Sequence, residues 1–260
     1  MMVKTIAISS GKGGVGKTSL AVNTSIKLSM QGMKVALLDA DFGMANSHIL
    51  LNQKVNNTVQ DILEQSIDIE EVVHETSSGL KLIPGGSGIL ELLNLDSKKR
   101  WEIIRSLDPL KNSLDYLIVD TPAGASDASL EFAAACDKVV VVLVPEPTSF
   151  MDAYAFIKAL NMEKNFQNVS VVVNLALNAT GAKKSFDSFK KIVTKFLSID
   201  IEYAGWLPKS NLMASSIVSR KPVILNKSLD KTMKKNFEVI VNHLLDFEEE
   251  KSSGIKFFNK

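Results

Sequence analysis

Two lysines bracket a run of glycines near the N-terminus, in Gly11-Lys12-Gly13-Gly14-Val15-Gly16-Lys17-Thr18. Glycines at this density let backbone N–H groups converge on an anion. Lys17 is placed to reach terminal phosphates, and Thr18, followed by Ser19, offers a hydroxyl to a divalent metal. That set is sufficient to bind a nucleotide. Lys12 is a second cation at the near end of the loop, and it points to a nucleotide switch whose site is finished by another copy of the chain.

Three carboxylates are placed to complete such a site. Asp39 ends the apolar run Val35-Ala36-Leu37-Leu38, and Asp41 lies two residues on. Asp120 ends Leu117-Ile118-Val119 and is followed by Thr121-Pro122-Ala123-Gly124. An aspartate ending a buried strand beside a phosphate loop is the expected holder of metal-bound water, and small residues after it can move with the γ-phosphate. Any one of these aspartates could equally cap the next helix. All three on one chain with the loop favour a Mg²⁺ site.

The elements that must position these groups alternate. Met2–Ser9 reads as a buried strand and Ser19–Met30 as a helix stopped by Gly32, so the glycine run is a strand-to-helix turn aimed at an anion. Further strands are expected over Lys34–Asp39, Leu80–Pro84, Asp115–Asp120, Val139–Val144, Val169–Asn174 and Ile199–Gly205. Helical periods are expected over Lys98–Leu107, Ala128–Ala135, Ser149–Met162, Lys184–Phe196, Leu212–Val218 and Leu229–Leu245. This alternation predicts an α/β fold: a doubly wound, mostly parallel sheet flanked by helices, with ligands at the carboxyl ends of the strands.

Composition narrows the function classes. In 260 residues, 45% are hydrophobic, enough for one α/β domain over 1–247. The net charge of +1 predicts no general attraction to nucleic acid. One cysteine, Cys136, excludes a disulfide framework and reads as a small core residue of a cytosolic protein. No secretory leader is expected. The apolar run Val139–Val144 is too short to span a bilayer.

On the loop Lys12–Thr18, the segment Asp39-Ala40-Asp41-Phe42-Gly43-Met44-Ala45-Asn46 and Val119–Gly124, the chain resembles the MinD/ParA class of deviant Walker A ATPases. Pro84–Gly88 and Pro145–Lys158 resemble the segments of its flagellar number and placement regulators, the FlhG (FleN) branch. The resemblance implies ATP with Mg²⁺ and a slow ATPase that is stimulated by dimerisation or a partner. In an ATP-bound homodimer, Lys12 would contact the partner protomer's phosphates. Lys17 would act in its own site, Asp41 would orient the attacking water, and Thr18, Asp39 and Asp120 would hold the metal. Asn174 and Pro208 would flank adenine. The guanine-specific Asn-Lys-x-Asp tetrapeptide is absent after the Val171–Val173 strand. Flagellar assembly proteins such as an FlhF-like GTPase or switch-complex components are the implied partners.

Residues 248–260 read as a tail. Glu248–Lys251 is charged, Ser252-Ser253-Gly254 is a joint, and Ile255-Lys256-Phe257-Phe258-Asn259-Lys260 joins apolar residues to two lysines. The resemblance implies a short membrane-targeting segment there, with peripheral association to the inner face of the cell membrane. A frayed tail would have the same composition. The alternative functional reading is a ParA-type partitioning ATPase acting on DNA or protein cargo. Its candidate basic surface comprises Lys183-Lys184, Lys190-Lys191 and Lys234-Lys235, which a solvated helix face would also explain. A small-molecule kinase or ligase would need an acceptor pocket that the sequence does not reveal.

Overall fold

The computed structural model describes residues 2–42, 45–86, 95–247 and 255–258. Gly43, Met44, Ser87, Gly88 and most of the tail lie outside the described residues. The strands are β1 (Lys4–Ser9), β2 (Val35–Asp39), β3 (His74–Glu75), β4 (Lys81–Ile83), β5 (Tyr116–Asp120), β6 (Lys138–Leu143), β7 (Val169–Ala176) and β8 (Ile201–Pro208). The helices of eight or more residues are α1 (Lys17–Met30), α2 (Ser97–Ser106), α3 (Asp127–Ala134), α4 (Pro147–Lys164), α5 (Ala179–Phe196), α6 (Asn211–Val218) and α7 (Lys231–Leu245).

The strands form one sheet in the order β3-β4-β2-β5-β1-β6-β7-β8. Each pairing is parallel except the antiparallel edge contact of β3 with β4. Sequence reading finds seven of these strands and misses β3, whose two residues carry no apolar pattern.

Strands buried on both faces read as continuous apolar runs because helices cover both sides. Alternate residues of β1 serve the two faces. Ile6 and Ile8 pack with Leu20 and Ile26 of α1 and with Phe237 and Ile240 of α7. Ala7 belongs to the opposite core, with Ile103 of α2, Phe132 of α3, Phe156 of α4 and Phe189 of α5.

The topology also builds the site. β1 lies between β5 and β6, and the chain leaves it first toward β2, so a crevice opens at its carboxyl end where the winding reverses. The parallel register sets Ile8 beside Asp120 and Asp120 beside Asp39. Two carboxylates distant in sequence thus become neighbours next to the glycine loop.

The tail residues that are described do not stand clear of the domain. Phe257 and Phe258 are buried in the core that contains α3 and α4. The Phe257 backbone N–H donates to Ala135, and Lys256 Nζ donates to the carbonyls of Ala134 and Cys136. Lys256 therefore supplies positive charge at the carboxyl end of α3, where the helix dipole is negative. Among the described residues, no helix is long and apolar enough to cross a membrane.

Candidate functional site

The glycines of the loop divide into those that packing demands and those that leave room. A Cβ on Gly11 would lie 2.1 Å from the backbone carbonyl carbon of Asp152 in α4. Gly16 has φ +90°, and a Cβ there would lie 2.3 Å from Asn174 Nδ2. Gly13 and Gly14 border open space. Around them the backbone can approach an anion without obstruction, and α1 starts at Lys17 with its N-terminal amides beside that space.

Lys17 is buried, and its Nζ donates to Asp120 Oδ1 at 2.7 Å. Among the described residues, the other oxygen, Asp120 Oδ2, is buried with no hydrogen-bond partner. A buried carboxylate oxygen left open is expensive unless something else binds it. Asp39 Oδ2 accepts the backbone N–H groups of Asn46 and Ser47, at 2.9 and 2.8 Å. Asp39 is therefore also a cap: it holds the start of the short turn that follows Asp41. Burial, then the neighbouring Asp120 charge, pushes its pKa up to about 7. Asp41 is half-buried and its pKa is also raised by burial, against the attraction of Lys17. Open space over Gly13 and Gly14, a Thr18 hydroxyl and an unpartnered Asp120 oxygen fit a nucleotide with its divalent cation.

Lys12 does not join this cluster. Its Nζ donates to Glu146 Oε2 at 2.9 Å and to Thr148 Oγ1 at 3.3 Å, at the start of α4. The pair is partly exposed, 31% for Lys12 and 59% for Glu146. Such a contact is worth about 0.2–1 kcal/mol, so Lys12 is readily released.

A cavity of about 230 Å³ adjoins the loop, with Gly16, Ser19, Asn174, Leu175 and Met213 in its wall. Leu175, at φ +55°, breaks the β7–β8 register and turns Asn174 inward. Asn174 Nδ2 then donates to Val15 O at 2.7 Å, and its Oδ1 accepts the Leu175 N–H. Asn174 thus clamps the loop and keeps one lone pair on Oδ1 free of those two bonds. Pro208 ends β8 opposite Ala176, and its neighbours Leu207 and Lys209 line the cavity.

The family model described as "ParA: NUBPL iron-transfer P-loop NTPase" matches residues 1–245. The chain is 33% identical over 221 residues to the antiactivator FleN of Pseudomonas aeruginosa, spanning 85% of this chain and 79% of that protein. It is 32% identical over 219 residues to the flagellum site-determining protein YlxH of Helicobacter pylori, spanning 84% and 74%. The fold matches the septum site-determining protein MinD complexed with Mg-ADP from Pyrococcus horikoshii, with TM-score 0.76 and 23% identity over 94% of this chain and 96% of that one. The chain belongs to the MinD/ParA family of P-loop ATPases.

In this MinD/ParA ATPase the structure brings Lys17, Asp39 and Asp120 together beside the loop and leaves Lys12 at its rim. The partners of Lys12, Glu146 and Thr148, are functional candidates that sequence reading missed. They lie in Pro145-Glu146-Pro147-Thr148, a segment noticed only for its resemblance. Gly85 was missed as well: a Cβ there would sit 2.2 Å from the Asp39 carbonyl oxygen. One lysine from each of two of the candidate basic pairs is engaged locally, Lys183 with Asp187 and Lys190 with Asp200. Cys136 is buried in the core.

Proposed function

We propose that this protein is an ATP-dependent dimerising switch, a slow Mg²⁺-dependent ATPase that governs flagellar number or placement. Lys12 is the observation that carries the reading. Its own site already has a buried cation in Lys17, whereas Lys12 rests on a weak, partly exposed contact at the rim. A rim cation of that kind is available to a second protomer.

Within one protomer, the loop amides and Lys17 bind the phosphates of ATP, and Asn174 offers Oδ1 to the base. Asp41 orients the attacking water. Thr18 would ligate Mg²⁺ directly, with Asp39 and Asp120 holding its water. Mg²⁺ held by these residues would supply charge neutralisation to the phosphates during transfer. With ATP bound, Lys17 would leave Asp120 for the phosphates, and Asp120 would then be free to hold water on the metal. The loop after Asp120 registers this exchange, because Gly124 N–H donates to Ser10 O at the base of the phosphate loop. A cation supplied by a neighbour to a transferring phosphoryl group is worth about 10³–10⁵ in rate. Hydrolysis thereby times the lifetime of the dimer.

The flagellar assignment is supported by the identity to FleN and YlxH. An FlhF-like GTPase or switch-complex components are the partners that this reading names. Membrane association would require Phe257 and Phe258 to leave the core, and dimerisation would double a weak anchor into a useful one. The test of the switch is light scattering of Asp41→Ala with Mg-ATP and with Mg-ADP. A dimer with ATP alone, returning to monomer when Lys12→Ala is added, is expected. A constant monomer with brisk turnover in the wild type overturns the reading. Co-sedimentation with anionic liposomes is expected to need ATP and residues 254–260.

A further inference from the structure

α6 separates two cavities. Met213, Ala214 and Ile217 face the base cavity. Leu212, Ser215, Ser216 and Ser219 face a second one, of about 560 Å³, which is not part of the nucleotide site. Arg220, Lys221 and Lys227 contribute to its lining, together with Asn226 and, from far away in sequence, Asn52 and Ser77.

The charge around this cavity is lopsided. Residues 209–235 contain seven cations against one carboxylate, Asp230, in a chain whose net charge is only +1. That carboxylate is occupied in capping α7, where it accepts the Met233 N–H at 2.9 Å. Among the described residues, Arg220, Lys221 and Lys227 make no ion pair and no side-chain hydrogen bond. Arg220 and Lys221 follow the carboxyl end of α6 and offset its dipole, which accounts for two of the three. Lys227 lies beyond the next turn, past Val223–Leu225, and has no such role.

The remaining donors point to an anion. The hydroxyls of Ser215, Ser216 and Ser219 donate to carbonyls of their own helix. Asn226 Oδ1 is taken by the Ser228 N–H, which leaves its Nδ2 donors free. Three cations and an amide facing one concavity form a donor-rich set suited to a group with several charged oxygens. Leu51, Leu212, Pro222 and Leu225 add apolar surface to the same wall. The volume is in the range of small-ligand sites, whereas a nucleic-acid duplex requires an open stripe.

We propose that this cavity binds a phosphate ester, with the phosphate on Arg220, Lys221 and Lys227 and the organic part against Leu51, Leu212 and Leu225. The ester could be a soluble metabolite or a phospholipid headgroup, and the test separates them. It does not depend on the switch reading. Full-length protein saturated with Mg-ADP is titrated with glycerol 3-phosphate by calorimetry. In parallel it is floated with phosphatidylglycerol and phosphatidylcholine vesicles.

Saturable binding of one probe is expected, soluble ester or anionic vesicle. It should weaken roughly ten- to a hundredfold in the combined Arg220→Gln, Lys221→Gln, Lys227→Gln variant, at roughly two- to fivefold per exposed cation. The control pair Lys234→Gln, Lys235→Gln, exposed on α7, should bind within about twofold of wild type. Unchanged ADP affinity verifies that the combined variant is folded, and Lys227→Gln alone repeats the test if it is not. Binding of neither probe overturns the proposal. So does binding that survives the cavity variant, or binding of duplex DNA alone with equal sensitivity to both sets of lysines.

Discussion

Replacing Asp120 with Asn removes the one ion-pair partner that a buried lysine has among the described residues, and the size of the effect can be worked out from its surroundings. Lys17 is 7% exposed and Asp120 1%, at 2.7 Å. Removing one member of a buried pair typically costs about 3–5 kcal/mol, because the other charge remains uncompensated. Here there is an offset. Asp120 is itself one cause of the raised pKa of Asp39, second only to burial. Without it, Asp39 is relieved of that repulsion, and its own charge beside Lys17 returns part of the cost. The net loss is about 2–3 kcal/mol for the nucleotide-free protein, or about 5–10 °C in Tm for a domain of this size.

The same exchange makes a second, opposite prediction for ligand. Wild-type protein must take Lys17 from Asp120 to bind ATP, whereas the variant has Lys17 free. Metal-free ATP should therefore bind Asp120→Asn more tightly than wild type, while the gain from adding Mg²⁺ shrinks. Urea unfolding at pH 8 and titration with a fluorescent ATP analogue, with EDTA or Mg²⁺, measure both. A stability change below about 0.5 kcal/mol, or weaker metal-free binding in the variant, refutes the exchange.

Three further outcomes follow from the geometry. Because the folded pKa of Asp39 is about 7 against 3.8 in the unfolded chain, the native state binds more protons between those values. Its contribution to stability is full below the lower value and is lost as pH rises through the upper one. Asp39→Asn should flatten that slope in urea unfolding between pH 5 and 8 without nucleotide, and an unaltered slope argues against it. Gly11→Ala forces a Cβ onto the Asp152 backbone and should destabilise by about 1–3 kcal/mol, while Gly13→Ala enters open space and should lower ATP affinity with little loss of stability; equal stability effects would contradict the division of the loop. Phe257→Ala should cost about 3–5 kcal/mol in thermal unfolding, since the ring is fully buried, and a cost under 1 kcal/mol means the tail is not held.

The parts of the molecule legible in the sequence are those in which a local pattern meets a single physical demand. Val139–Val144 had to be a central strand because six β-branched or aliphatic residues in a row suit a surface covered on both faces. The loop was legible because few other folds need Gly at 11, 13, 14 and 16 with Lys and Thr after it. Asp39 and Asp120 could be proposed as partners from their place at strand ends, but only the β2–β5 register makes them neighbours. The capping of residues 46 and 47 by Asp39 was less accessible, since it depends on how the chain returns after Asp41.

The Lys12–Glu146 contact joins residues 134 apart in sequence and has no local signature. Asn174 illustrates a different limit. Its place at the end of β7 was readable, but its clamp on Val15 arises from the left-handed conformation of Leu175, a residue with no propensity for it. The tail shows the third limit: Phe257 and Phe258 suit a lipid surface and a protein core equally well, and composition does not choose between them.

The central claim is that Lys12 acts in the site of a second protomer, and mixing two inactive variants tests it directly. Lys12→Ala retains Asp41 but lacks the donated cation, and Asp41→Ala retains Lys12 but cannot orient water. In a mixed dimer, the site of the Lys12→Ala protomer has its own Asp41 and receives Lys12 from its partner. Each mixed dimer has one complete site where a wild-type dimer has two, so mixing should raise Mg-ATPase activity from near zero for either variant alone toward, at most, about half of wild type. If Lys12 serves its own protomer, no mixed dimer contains a complete site and activity stays at the level of the separate variants.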